Sequence, residues 1–345
     1  MKRALVTGST GFIGRHLVKV LFENGYQVVC LVRGSSRREA LKPYRPEFRV
    51  GDLQDLESLR RAVRGVDMVF HLAGLTKSHR VSALMQANQK GASFIAKACA
   101  DQINPPTLLY ASSLAAAGPS CGIGARVESD ASEPVSNYGK SKLAGELAVR
   151  EFAVQNPTSI VRPPIVFGEG DKDVFNLFRG IARTGVHVIP SLHDYFFSAI
   201  HARDLCFAML RVAESGNRLC THDQSAGTYF VADEQVVTYA SLGEMIGHAL
   251  GRERVVNVRI PHPVLCSFAA ISELIGFLKG EARIVNLDKA REAKAGSWVC
   301  STEKLKEEVG YRCVRTLEAR IAQTAAWYRH QGWLPLRDTL IQTST

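Results

Sequence analysis

Three glycines near the start of the chain constrain its fold more than anything after them. Gly8, Gly11 and Gly14 stand in Thr7-Gly8-Ser9-Thr10-Gly11-Phe12-Ile13-Gly14, directly after the apolar run 4–6 and at the head of a predicted helix over 12–24. Glycine permits a tight turn and lets the backbone come close to a pyrophosphate. The helix behind the turn offers unsatisfied N–H groups and partial positive charge to that anion. Gly14 leaves room for the helix to pack on the strand. A glycine triplet alone is an ordinary turn; a strand before it and a helix after it make it a dinucleotide cradle. Gly8, Thr10, Gly11, Phe12, Ile13 and Gly14 are therefore the candidate cofactor residues of this loop.

The first half of the chain repeats that strand–helix unit. Further strands are predicted at 27–32, 48–50, 68–72, 107–112 and 158–161, with helices at 56–64, 81–100 and 137–152. The strand candidates are continuous apolar runs, as a parallel sheet covered on both faces requires. Regular alternation predicts an α/β fold, a Rossmann-type doubly wound parallel sheet. After about Pro163 the alternation loosens. Helical stretches near 174–183, 241–250, 264–278, 302–308 and 317–329 mix with short strands such as 227–231. The expected organisation is a dinucleotide-binding domain over 1–165, rejoined by 199–215, and a smaller C-terminal substrate lobe over 166–345. A chain of 345 residues with 46% hydrophobic content can bury a core for both. The last residues, 342–345, are expected to fray.

The formal net charge of +10 would suit nucleic acid, an anionic membrane surface or a phosphorylated cofactor. The charges are scattered and no nucleic-acid-binding motif is visible, so no nucleic-acid partner is expected. The eight cysteines form no Cys-x-x-Cys pair and no zinc-ligand spacing. They read as buried thiols of a reducing compartment, and no metal is expected. The N-terminal apolar run is too short for a signal segment, and no stretch has the ~18 uninterrupted apolar residues of a spanning helix. A cytoplasmic enzyme without an integral membrane segment is the expectation.

The glycine spacing is Gly-x-x-Gly-x-x-Gly, and Thr-Gly-x-Thr-Gly-Phe-Ile-Gly resembles the opening of extended short-chain dehydrogenases/reductases. That superfamily includes sugar-nucleotide epimerases, 3β-hydroxysteroid dehydrogenases and dihydroflavonol reductases. Arg33 follows the second strand where an NAD enzyme would carry an acid, about 20 residues past the loop. A carboxylate there repels a 2′-phosphate, whereas Arg33 offers it a bidentate fork, with Ser35, Ser36, Arg37 and Arg38 adding donors and charge. NADP(H) is thus favoured, with NAD the alternative. By resemblance, Asp52 and Leu53 flank the adenine, and Leu72, Ala73 and Gly74 let the cofactor lie close to the backbone. Asn88 matches a family asparagine near the active site, although from the residues alone it reads as a plain helix residue.

Tyr138-Gly139-Lys140-Ser141-Lys142 carries Tyr-x-x-x-Lys, which puts Tyr138 and Lys142 on one helix face. A free phenol, with a pKa near ~10, transfers protons poorly at neutral pH. A lysine ammonium within a few ångströms lowers that pKa, so that Tyr138 works as general acid in reduction and general base in oxidation. Lys142 should also hold the nicotinamide ribose. Upstream, Tyr110 to Gly118 resembles the family's strand-end serine segment. Counting back from Gly118 puts the substrate-orienting serine at Ser113, with Ser112 the alternative in a register shifted by one. In relatives the segment Arg162 to Gly168 packs on the nicotinamide face, which makes Pro163 and Ile165 further cofactor candidates. Asp204, within a segment that also resembles the family, reads as the cap of the helix after it.

The substrate is less legible. Sugar-nucleotide enzymes of the family usually hold the diphosphate with a late arginine beside Gly-Asp, and no Arg-x-Gly-Asp occurs here. Arg179, Arg203 and Arg283 remain phosphate candidates. The apolar stretch 264–278 could cover an apolar substrate, touch a membrane surface or pack the second lobe. With the segments 295–301 and 324–333 it looks closer to 3β-hydroxysteroid dehydrogenase-like relatives. The reading is therefore an oxidoreductase interconverting a carbonyl and a secondary alcohol on an apolar or aromatic small molecule. The alternatives are a sugar-nucleotide epimerase or dehydratase with tightly held nicotinamide, and a non-catalytic NADP(H) sensor. The resemblance also implies a homodimer paired through the Tyr138 helices.

Overall fold

Short runs of Val, Leu, Ile and Phe separated by helices can bury both faces only in a parallel sheet, and a computed structural model has that architecture. It describes residues 1–121, 124–264, 266–267 and 287–335. The strands are β1 (Arg3–Thr7), β2 (Gln27–Val32), β3 (Glu47–Val50), β4 (Met68–His71), β5 (Thr107–Ala111) and β6 (Thr158–Arg162). They lie in the order β6-β5-β4-β1-β2-β3, every pair parallel, with Thr228–Phe230 added beyond β6. Strand order reverses between β1 and β4, where Thr7 pairs with His71. The crevice outside the carboxyl ends of these two strands is where such sheets receive ligands.

Period-two geometry divides each strand between two cores. Ala4 and Val6 face helix α1 (Phe12–Glu23), contributing Leu17, Val18 and Leu21, and the helix Ala202–Ser215, contributing Leu205 and Met209. Leu5 points the other way, to α2 (Leu56–Ala62) and to the long helical stretch behind β4. That stretch runs as α3 (Val81–Met85), a π-turn at Gln86–Lys90 and α4 (Gly91–Ala100). After β5 come the short α5 (Leu114–Ala117) and then α6 (Asn137–Arg150).

A third core gathers Phe167, Phe178, Ile181, Phe197, Ile246 and Tyr328 from the later part of the chain. Its helices are Phe175–Thr184, Tyr239–Ala249 and Leu317–His330. The helix Ala202–Ser215 packs with α1 against one face of the main sheet. The strand foreseen at 227–231 also joins that sheet: Thr228 to Phe230 are buried on both faces and pair with β6. Asp204 does not cap its helix: His201 Nδ1 accepts from Arg203 N at 3.2 Å, while Asp204 is buried against Arg320, whose Nε donates at 2.6 Å. Cys121 and Cys220 are exposed, which corrects the expectation that all eight thiols are buried. Most of the apolar stretch 264–278, together with Arg283 and 342–345, lies outside the described residues. Among the described residues no helix is long and apolar enough to cross a membrane.

Candidate active site

The turn between β1 and α1 is a cradle with no space for side chains. Gly8 has φ +68°, and a Cβ there would lie 2.8 Å from Ala73 N. A Cβ on Gly14 would lie 2.1 Å from the Gly8 carbonyl oxygen. Gly11 N donates to that same oxygen at 2.9 Å. Gly11 also begins α1 without any side-chain cap and with no acid in the first turn, so the helix presents its open N–H groups. The Thr7 hydroxyl ties the two facing turns together: it pairs with His71 Nδ1 at 2.8 Å and accepts from Ala73 N at 3.1 Å. Excluded side chains, open amides and absent acids fit a dinucleotide pyrophosphate. Phe12 packs edge-on to His16 at 5.5 Å, and Ile13 lies against the core under the Ala202–Ser215 helix.

At the end of β2, Arg33 N donates to Ser36 Oγ at 3.0 Å and Ser36 N donates back to Arg33 O. This turn leaves the side chains of Arg33 and Arg37 exposed, and among the described residues neither meets a carboxylate. Arg38 instead stacks over Phe48 at 5.3 Å. Asp52 Oδ1 accepts from Gln54 N at 2.9 Å, forming its own turn after β3, and Leu53 packs beneath Gly91.

The catalytic candidates converge where β5 meets α6. Ser136 caps α6, accepting from Gly139 N at 3.0 Å. Ser113, at the end of β5, sets its hydroxyl beside the Tyr138 phenol, where it favours the phenolate, and its oxygen accepts from Ala115 N at 3.1 Å. Ser112 faces away and donates to Glu146, which is buried with Arg162 at 2.6 Å. The two serines therefore part company: Ser113 reaches the tyrosine and Ser112 belongs to an internal ion-pair network. Asn88 is no plain helix residue. It is buried in the π-turn, accepts from Leu75 N at 2.8 Å, donates to Leu75 O at 2.8 Å and donates to Ser141 Oγ at 2.9 Å. It thus joins the loop after β4 to the helix of Tyr138.

Lys142 departs from the simple expectation. Its Nζ donates to Ala111 O at 2.5 Å and lies over the Tyr110 ring at 4.5 Å. Burial pushes it down to about 8, partly opposed by the Glu146 carboxylate. Burial raises the Tyr138 phenol above its usual range; the ammonium pulling it back is that of Lys289, assisted by the Ser113 hydroxyl and opposed by Glu292. Lys289 Nζ lies 5.8 Å from the Tyr138 ring centroid and 2.6 Å from Glu292 Oε2. His71, stacked on Tyr110, is driven down to about 3 by burial and then by the Lys142 charge.

Ser113 and Tyr138 open onto a cavity of about 520 Å³. Its walls are largely apolar and aromatic, with Leu114, Val166, Ile189, Phe197, Tyr239 and Trp298 among them. Ile165 lines it too, while Pro163 is buried and its carbonyl accepts from Leu114 N at 2.8 Å. Of the arginines considered for phosphate, Arg179 bonds Asn176 and Arg203 pairs with Glu23, and neither lines the cavity. Sequence reasoning missed Asp288, Lys289, Glu292 and Tyr239, because no motif links them to a tyrosine more than 100 residues earlier.

Residues 4–223 match the model of the NAD dependent epimerase/dehydratase family. A ceramide reductase of Caulobacter vibrioides is 30% identical, covering 96% of this chain and 95% of its own. A dTDP-4-dehydro-6-deoxy-D-allose reductase of a Streptomyces species is 28% identical over 95% of this chain and 96% of its own. The crystal structure of a UDP-glucose 4-epimerase with UDP-glucose from Thermotoga maritima superposes with a TM-score of 0.75 at 20% identity. It covers 95% of this chain and 99% of that one.

Proposed function

The chain belongs to the NAD dependent epimerase/dehydratase family and is an NAD(P)-dependent oxidoreductase, and from that premise we propose that it reduces a ketone on an apolar, long-chain substrate with NADPH. One observation carries this reading: Ser113 and Tyr138 sit together in the wall of a cavity lined mainly by apolar and aromatic side chains. The similarity to a ceramide reductase supports a ketone on the backbone of an amide-linked lipid.

In this reading Gly8, Thr10, Gly11, Phe12, Ile13 and Gly14 hold the pyrophosphate. Arg33 and Arg37 hold the 2′-phosphate, and Asp52 and Leu53 the adenine. Leu72, Ala73, Gly74, Pro163 and Ile165 line the nicotinamide end, where Lys142 binds the ribose. The cofactor, when bound, supplies a hydride to the carbonyl carbon. Ser113 donates a hydrogen bond that orients the carbonyl oxygen, and Tyr138 Oη delivers the proton that completes the alcohol. Residues 1–165 with 199–215 form the cofactor domain and 166–345 mainly the substrate lobe; two copies pair through α6.

Tyr138→Phe tests the reading. NADPH consumption on the 3-ketone of a short-chain ceramide should fall by at least ~10³-fold, while NADPH affinity, from its fluorescence, stays within about threefold. Full turnover by the variant would overturn the mechanism. Purified protein holding nucleotide tightly, with no net NADPH consumption on any ketone, would favour an epimerase instead.

A further inference from the structure

The cavity contains an ion pair that the reduction mechanism above does not use. Lys289 and Glu292 lie on the helix Leu287–Lys294 and line the cavity together with Tyr138. The Lys289 side chain is half exposed, with 53% of its surface open, and Glu292 Oε2 stands 2.6 Å from its Nζ. Partial burial would push the Lys289 ammonium down, but Glu292, joined by Tyr138 and Tyr239, holds it above the usual lysine range. Lys142 has no such tight carboxylate partner among the described residues and is depressed to about 8. With its pKa at about 8, Lys142 is still mostly protonated at neutral pH, so both lysines carry charge there.

The same helix is locked to the backbone of the catalytic helix. Asp288 Oδ1 accepts from Asn137 N at 2.8 Å, and Oδ2 accepts from Tyr138 N at 3.1 Å. One carboxylate thus satisfies the first two amides of α6, and the next residue places its Nζ 5.8 Å from the Tyr138 ring centroid. At the far side, Trp298 Nε1 donates to Glu292 O at 3.0 Å. The groups acting on the phenol are Ser113 from the β5 side and Lys289 and Glu292 from this helix; Tyr110 feels the Tyr138 charge, while the Lys142 ammonium is turned to Ala111 O and the Tyr110 ring. Tyr239, also in the cavity wall, feels the same two charges.

We propose that Lys289, held by Glu292, is a positioning residue for the proton transfer: its ammonium stabilises the Tyr138 phenolate from the cavity side, in addition to Lys142. The proposal rests on the reading of Tyr138 as acid and base. A unit charge about 6 Å away in a medium of effective dielectric about 20 shifts an ionisation by about a hundredfold. Solvent at the half-exposed Lys289 and the opposing carboxylate take most of this back, leaving about threefold.

The test follows the phenol directly. In full-length enzyme labelled with ¹³C at tyrosine Cζ and loaded with NADP⁺, Tyr138→Phe identifies the Tyr138 resonance. Lys289→Met should raise its titration midpoint by about half a pH unit and slow alcohol oxidation at pH 7 by about threefold. Lys289→Arg should stay close to wild type, and Glu292→Gln should move the midpoint downward. An unmoved midpoint in Lys289→Met, or equal shifts with Met and Arg, would overturn the proposal. Loss of the catalytic reading is a separate result, visible as undiminished turnover by Tyr138→Phe.

Discussion

Replacing Gly14 by alanine should abolish tight cofactor binding without touching any group that bonds the cofactor through its side chain. The added Cβ would stand 2.1 Å from the Gly8 carbonyl oxygen and 2.7 Å from Ser9 Cα. Both obstacles are backbone, so no rotamer change relieves them. A tolerable carbon–oxygen contact is roughly 3.2 Å, so α1 must withdraw by about 1 Å. An N–H···O bond of ~2.9 Å then stretches to ~3.9 Å, beyond bonding distance. Each amide bond to a charged phosphate oxygen contributes about 1.5–3 kcal/mol, so losing two removes at least ~3 kcal/mol. That corresponds to a rise of about 150-fold in the Kd for NADPH. Overpacking between helix and strand should also lower unfolding stability by ~1–3 kcal/mol. Fluorescence titration and urea unfolding measure the two effects. Gly180 provides the control: it is exposed in the helix Phe175–Thr184, and nothing lies within 4 Å of its would-be Cβ. Gly180→Ala should stabilise by up to ~1 kcal/mol and leave the Kd alone. A Gly14→Ala Kd within threefold of wild type would refute the view that this turn is shaped for a pyrophosphate.

Serine in place of both Arg33 and Arg37 should weaken NADPH binding by about tenfold or more and leave NADH binding within about twofold. Equal losses for the two cofactors would remove the case for a 2′-phosphate site. His71 provides a pH test. Its folded pKa is depressed to about 3, so the unfolded chain takes up a proton below about pH 6.5 that the folded protein refuses. The stability present above pH 6.5 is therefore lost as pH falls, by at most ~1.4 kcal/mol per pH unit. His71→Asn can keep the bond to Thr7 and lacks this term. The wild-type stability advantage over it should shrink steadily in urea unfolding from pH 7 to 5, and a constant difference would count against a buried neutral imidazole.

The parts of the fold legible in the sequence are those encoded locally. Continuous apolar runs separated by helical periods identify a parallel sheet, since each strand must present an apolar side chain to both faces. Helix ends at Gly11 and Ser136 follow from the residues beside them. Asn88 was misread because its importance lies in partners distant along the chain, Ser141 being 53 residues away. Asp204 was misread for the same reason: a first-turn acid looks like a cap until Arg320, 116 residues on, is placed against it. The strand Thr228–Phe230 was recognisable, but the vacant edge of β6 that receives it was not.

The amino-acid order alone determined the glycine turn, the alternation of strands and helices, and the one-turn spacing of Tyr138 and Lys142, because each is a property of neighbours on a chain of fixed geometry. Tertiary structure alone decided which serine meets the phenol, where the Lys142 ammonium points and that Lys289 shares the cavity with Tyr138. Those outcomes depend on burial and on distances through space, and a residue such as Lys289 comes to act on Tyr138 only when the chain folds back over α6.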